Sequence, residues 1–240
     1  MAEGVNSVND EIKNEAKKVL ENKSGIEKVK YFVYYYKVHA LVVVGAIAAI
    51  IAIVYGIATR KDSIFQVMIV NGEYGENYDY ETLMNGFRAT VDYDEKKQEL
   101  IMDSGNHVDV TSDDQYNQAI VQKIFMNIIA QDLDVLICDY DLMRLTRSQD
   151  VGANMSSVLT EEQLAKYEDK LVWYDFPIEE VGDDDRFTGR NEAVCIDITD
   201  FKKIKETNMF PYTNQGVYLF IPGNSEHMEL ALRFIDYLDE

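Results

Sequence analysis

The sequence predicts an α/β protein: a single extracytoplasmic domain built on a mixed, mostly parallel sheet flanked by helices, with one N-terminal transmembrane helix before it. Three observations lead there. The 22 residues from Val38 to Thr59 (VHALVVVGAIAAIIAIVYGIAT) include no Asp, Glu, Lys or Arg, and at 1.5 Å per residue such a helix is about 33 Å long, enough to span a bilayer. Beyond it, short apolar runs of strand length alternate with stretches whose apolar residues recur every three or four positions, the pattern of an α/β domain. Charge is the third: residues 61–240 hold 15 Lys and Arg against 37 Asp and Glu, a net charge of −22, while the whole chain carries −20. Nearly all the acidity therefore follows the apolar stretch.

Taken in order, residues 1–37 read as a cytoplasmic segment, 38–60 as the membrane helix and 61–240 as the domain. In the first segment Val8, Ile12, Ala16, Val19 and Leu20 recur at near-helical spacing, and Ser24-Gly25 breaks the pattern. Tyr31, Phe32, Tyr34, Tyr35 and Tyr36 follow just before the apolar run, where amphipathic rings suit a headgroup layer. Lys37 closes that run on one side and Arg60-Lys61 on the other. Residues 18–37 carry Lys18, Lys23, Lys28, Lys30 and Lys37, against only Arg60 and Lys61 in 60–79, so the positive-inside rule puts the N-terminus in the cytoplasm of a single-pass cell-membrane protein. The apolar stretch is too long and starts too late for a cleaved signal peptide, and no Cys follows it for lipid attachment. The helix itself is the expected tether. Gly45 and Ala49, and likewise Ala48, Ala52 and Gly56, are four apart, a small-residue spacing that would admit a helix-mediated homodimer.

In the domain, Ile64 to Val70 reads as a buried strand, Tyr80 to Thr90 as a helix and Gln98 to Asp103 as a second strand. Asp113 and Asp114 stand at an N-cap position before a long amphipathic helix through Ile120, Ile124 and Ile128 to about Gln131. Leu133 to Cys138 is apolar at nearly every position, as a central strand would be, and Asp139 to Thr146 reads as a short helix. Thr160 and Gln163 form a capping-box pair. Leu171 to Phe176, Glu192 to Ile198 and Gly216 to Ile221 are strand candidates, and Asn224 to Leu238 is a closing helix.

A domain so acidic excludes nucleic acid as a partner, because phosphate would be repelled. Cys138 and Cys195 both lie in strand-like runs, and either a disulfide between adjacent strands or two free buried thiols fits them. No nucleophile elbow, phosphate loop, zinc motif or dinucleotide fingerprint occurs. His39, His107 and His227 have no partner at ligand spacing, so no His-dependent mechanism, cofactor or metal is expected. Asp183-Asp184-Asp185 and the Asp103 to Asp109 loop read as solvated loops, since neither has calcium-loop spacing. Ligands of open α/β sheets bind beyond the carboxyl ends of the strands. Those ends carry Asn71, Tyr74 and Tyr78 after the first strand and Asp139, Tyr140 and Asp141 after the third. Rings that stack on sugars and carboxylates that take hydroxyls make these six the candidate binding residues.

The run IAQDLDVLICDYDLM, followed by VGANMSSVLTEEQLAKYEDKLVWYD and by VYLFIPGNSEHMELALRFIDYL, resembles the extracellular solute-binding proteins of bacterial ABC transporters. The juxtamembrane IEKVKYFVYYYKVHA resembles the start of single-pass proteins of clostridia-like Gram-positive bacteria. The resemblance implies that Asp132 to Asp141 is the strand entering a ligand cleft. Solute-binding proteins have two lobes, and a domain of about 180 residues has room for one. The function implied is a membrane-anchored ligand-binding or transport-accessory module without catalysis, its partners being the membrane and a small-molecule ligand or a protein. The alternative is a structural or protein-interaction membrane protein with a degenerate binding lobe.

Overall fold

Why these residues form these elements is clearest in the computed structural model, which describes residues 24–73, 80–176, 190–211 and 215–240, with Asn14, Lys17 and Lys18 besides. Most of the amphipathic segment before Ser24, together with Tyr74, Tyr78 and Asp183-Asp184-Asp185, lies outside the described residues. The chain divides into two compact units, residues 1–60 and 61–240.

In the first unit one helix, α1 (Gly25–Ala58), runs unbroken for 34 residues, so the Tyr-rich segment and the apolar stretch are turns of the same helix. The Glu27 carboxylate accepts from the Ser24 backbone N–H at 2.9 Å and satisfies one of the donors a helix start leaves open. Its portion Lys37–Ala58 is 22 residues long with a mean hydropathy of 2.8 and no protein cover. By length and composition it can cross a membrane.

The second unit is a six-stranded mixed sheet flanked by helices. Its strands are β1 (Asp62–Val70), β2 (Gln98–Asn106), β3 (Val135–Asp139), β4 (Leu171–Phe176), β5 (Arg190–Asp197) and β6 (Val217–Phe220), in the order β2-β1-β3-β6-β5-β4. The helices are α2 (Tyr80–Arg88), α3 (Gln115–Ile129), α4 (Tyr140–Arg147), α5 (Met155–Val158), α6 (Glu161–Tyr167), α7 (Lys202–Thr207) and α8 (Met228–Asp239). β1 pairs in parallel with β2 and with β3, but β3 with β6, β6 with β5 and β5 with β4 are antiparallel. The expectation of a mostly parallel sheet is thereby corrected. Alternating strands and helices suggested crossovers throughout, yet six-residue α7, about 9 Å long, is too short to carry the chain back along the sheet, and β6 returns antiparallel to β5.

Apolar residues on β1 go to both faces. Phe65, Val67 and Ile69 join one core with Val135 and Ile137 of β3, Phe87 of α2 and Phe234 of α8, while Met68 and Val70 join the other with Leu136, Cys138 and Ile124 and Ile128 of α3. Burial on both sides explains why β1 and β3 read as nearly continuous apolar runs. Phe65, Phe87 and Phe234 pack as a triangle with centroids 4.8 to 5.6 Å apart, each such pair adding about 1 kcal/mol beyond its burial. A Cβ at Gly86 would displace the Tyr237 hydroxyl, which donates to the Leu83 carbonyl at 2.9 Å. The expected capping box at Thr160 is present, with Gln163 N–H donating to Thr160 Oγ1 at 3.2 Å. α5 and α7 are additions to the expected elements.

Cys138 and Cys195 are both free and buried. β6 lies between their strands, so Cys138 faces Tyr218 rather than Cys195. Strands two apart are about 9.5 Å from each other, beyond the reach of a disulfide. Burial pushes both thiols well above the ordinary cysteine range, which makes them packing residues.

Candidate functional site

The parallel strands β2, β1 and β3 end on one edge of the sheet, and the chain there departs in opposite directions, to β2 from one side of β1 and to β3 on the other. Such a reversal of strand order opens a crevice at the strands' carboxyl ends. Asn71 stands there just past β1 in a left-handed conformation, φ 61°, which Asn adopts more readily than most residues. Its Nδ2 donates to Asp139 Oδ2 at 2.9 Å and to the Val108 carbonyl at 3.0 Å, its Oδ1 accepts from Val108 N–H at 2.7 Å, and its own N–H donates to the Asn106 carbonyl at 2.8 Å. Asp139 ends β3 and caps α4, with Oδ1 accepting from Leu142 N–H at 3.1 Å.

Of the six residues picked from sequence, Asn71 and Asp139 are therefore bonded to each other, and Tyr140 and Asp141 follow in the first turn of α4. The Tyr140 ring is half-buried 6.2 Å from that of Tyr218, with the Arg144 guanidinium 5.9 Å from its centre. Asp141 is exposed. Tyr74 and Tyr78 are among the residues not described.

The neighbouring acids of this edge are engaged by protein groups. Asp103 pairs with Lys123 at 2.7 Å, and both hold the buried Asn106 side chain, Lys123 donating to its Oδ1 at 2.9 Å. Asp109 accepts from the hydroxyl and N–H of Thr111, which hold its carboxyl below the usual carboxylate range. Among the described residues no three His, Cys, Asp or Glu side chains gather as metal ligands.

The opposite edge holds a cluster that no local signal announces. Asp134, 2% exposed, sits just before β3. Its Oδ2 accepts from Gln66 N–H at 2.8 Å, while Oδ1 accepts from Ser225 Oγ at 2.6 Å and lies 3.1 Å from His227 Nδ1. His227 thus has a partner 93 residues away in sequence, which spacing alone could not reveal. These are the residue types of a nucleophilic triad, but the serine donates to the aspartate rather than to the histidine, so no activated hydroxyl is made.

A third feature is an open groove of about 510 Å³ between α6 and α8, lined by Thr160, Glu162, Gln163, Lys166, Arg233 and Asp236. Gln163 Nε2 donates to Asp236 Oδ2 at 2.7 Å, the Tyr167 hydroxyl to Asp236 Oδ1 at 3.2 Å, and Lys166 pairs with Asp239 at 2.8 Å. Burial pushes the Tyr167 phenol up to about 12, and its hydroxyl stays a donor through the physiological range. The groove's polar groups tie two helices together.

These features define a small α/β domain whose strand-order reversal carries a half-buried Asn-Asp pair, with an aromatic and an exposed carboxylate beside it. No family model, curated protein or solved structure matches the chain.

Proposed function

We propose that the chain is a membrane-anchored extracytoplasmic ligand-binding or transport-accessory module, non-catalytic and akin to one lobe of a solute-binding protein. α1 serves as its single-pass anchor, with the N-terminus in the cytoplasm, as the excess of lysines before the apolar stretch argues. The observation that carries the binding reading is the Asn71–Asp139 pair at the strand-order reversal between β1 and β3, since ligands of open α/β sheets bind at that point. Tyr140 offers a ring face and Asp141 a free carboxylate, which suits a hydroxyl-rich or cation-bearing small molecule. A structural or protein-interaction role is the second reading, favoured by the outward apolar residues of α3.

The test is thermal unfolding of the full chain in detergent micelles against sugars, peptides and metal salts. A ligand at a hundred times its Kd adds about 2.7 kcal/mol of stability, so one class of compound is expected to raise the midpoint without being consumed. A panel with no shift defeats the ligand-binding reading. Protease added to protoplasts is expected to digest the domain after residue 61 and spare residues 1–37; the reverse pattern defeats the orientation.

A further inference from the structure

β2 departs from regular strand geometry near its end, and the departure gathers three side chains that alternation alone would keep apart. Residues three apart on a strand point to opposite faces, which would separate Asp103 from Asn106. Between them β2 advances three residues while β1 advances two, Met68 pairing with Asp103 and Val70 with Asn106, and Gly105 takes φ 87° within the extra step. The bulge brings both side chains to one face. Val70, beside Asn106, packs there with Ile124 and Ile128 of α3, and the one lysine of that helix, Lys123, reaches the same place. Its Nζ lies 2.7 Å from Asp103 Oδ2 and donates to Asn106 Oδ1 at 2.9 Å, while Asn106 Nδ2 donates to Asp103 Oδ1 at 3.0 Å. An ammonium only donates and a carboxylate only accepts, so the amide fits between them in this orientation alone.

We propose that Lys123 and Asn106 condense into an intramolecular isopeptide bond, with Asp103 carrying the proton between them. An ion pair needs only Lys123 and Asp103. Here one carboxylate touches the attacking nitrogen with one oxygen and the departing nitrogen with the other, and the amine is already in contact with the amide it attacks. Asp103 takes a proton from the Lys123 ammonium, and the freed lone pair of Nζ attacks Asn106 Cγ, forming the Nζ–Cγ bond. As the Cγ–Nδ2 bond breaks, Asp103 hands that proton to Nδ2 and a second proton follows from Nζ. The leaving group departs as ammonium and Asp103 is a carboxylate again, so atoms and charge balance with no oxidant or reductant. Fixed proximity replaces a bimolecular encounter, and Asn106, 5% exposed, holds its amide still. The bond ties the end of an edge strand to the middle of α3. It closes a loop that includes Val108, the residue on which the Asn71 side chain rests.

The test is the intact mass of the full chain, purified in detergent micelles, followed by mass mapping of a protease digest. The parent is expected to be lighter than its sequence by one ammonia, and the digest to contain a branched peptide joining the segments around residues 106 and 123. Lys123→Arg keeps a cation beside Asp103 but supplies no amine, so it should show the full sequence mass. Asp103→Asn removes the proton carrier and should reduce the linked fraction at least tenfold, since a positioned acid–base group contributes about a hundredfold or more. These masses do not move if the three residues serve only to pack β2 on α3. The proposal is overturned if the parent has its full mass, if Asp103→Asn links as completely as the parent, or if the loss of ammonia persists in Lys123→Arg, which would mark a succinimide at an asparagine instead.

Discussion

β3 carries a carboxylate at each end, and the two are employed differently. Asp134, just before the strand, is buried and takes hydrogen bonds from a backbone amide and a serine, with a histidine ring beside it. Asp139, the strand's last residue, is half-buried and takes one from Asn71 and one from the helix it caps. The partners of Asp134 come from β1 and from the loop before α8, so it fastens distant parts of the chain to one strand. Asp139 fastens the residue after β1 to the first turn of α4 and is followed by an exposed carboxylate at Asp141. The amino end of the strand is thus fully enclosed, and the carboxyl end leaves polar groups half-buried or exposed.

The largest expected effect breaks the amino end. Asp134→Ala leaves the Gln66 amide and the Ser225 hydroxyl without an acceptor and should cost about 3 kcal/mol, read as a lower midpoint in urea unfolding with an unchanged slope. Asp134→Asn keeps the shape and the acceptor oxygen and should recover part of that loss. If Asp134→Ala is as stable as the parent, the fastening assigned to this residue is wrong.

At the carboxyl end, Asn71→Ala should cost about 2 kcal/mol, because it loses three side-chain hydrogen bonds and places a Cβ-only residue at positive φ. Asn71→Gly relieves the backbone and loses the same hydrogen bonds. The gap between the two variants, measured by unfolding, is the share owed to backbone conformation. Equal losses would mean that the hydrogen bonds carry all of it.

These two ends also differ in how visible they are in the sequence. Asn71 and Asp139 could be picked out because each directly follows an apolar strand, and the rule for open sheets then says where they meet. The Asp134–Ser225–His227 cluster could not, since Ser225 and His227 are 91 and 93 residues from Asp134 and none sits in a motif. The same physics governs the fold. β1, β3, α3 and α8 are long or apolar enough for their period to show, whereas α5 and α7 have four and six residues and are set by their ends, α7 stopping at Asn208 with φ 52°. Strand direction is the least legible feature of the sheet. Whether β6 enters parallel or antiparallel is decided by the length of its connection and by the pairings it makes, and neither is written in the strand's own residues.

A smaller effect distinguishes the two ends by pH. Asp109 and Asp114, in the loop that Asn71 holds through Val108, are kept below the usual carboxylate value by bonds from Thr111 and from Asn117 respectively. A lowered native pKa contributes stability that is present above the unfolded value and lost as pH falls through the folded one. Nothing should change between pH 7 and 5. Below about pH 4 the amides of residues 108–117 should lose hydrogen-exchange protection first, while those of β3 persist; simultaneous loss would show that the loop is not an independent unit.

The smallest expected effect on stability is the most informative about binding. Asp141 lies exposed in the first turn of α4, so Asp141→Asn removes a charge without removing a partner and should leave the ligand-free midpoint unmoved. If the carboxyl end of β3 is a binding edge, the same change should abolish the shift produced by whichever compound stabilises the parent. Asn71→Ala cannot make this distinction, because it loosens the edge and the ligand's seat together. A ligand shift that survives Asp141→Asn but vanishes with Arg233→Ala would instead move the site to the groove between α6 and α8, leaving the Asn71–Asp139 pair as a second structural fastening, the counterpart of Asp134 at the other end of the strand.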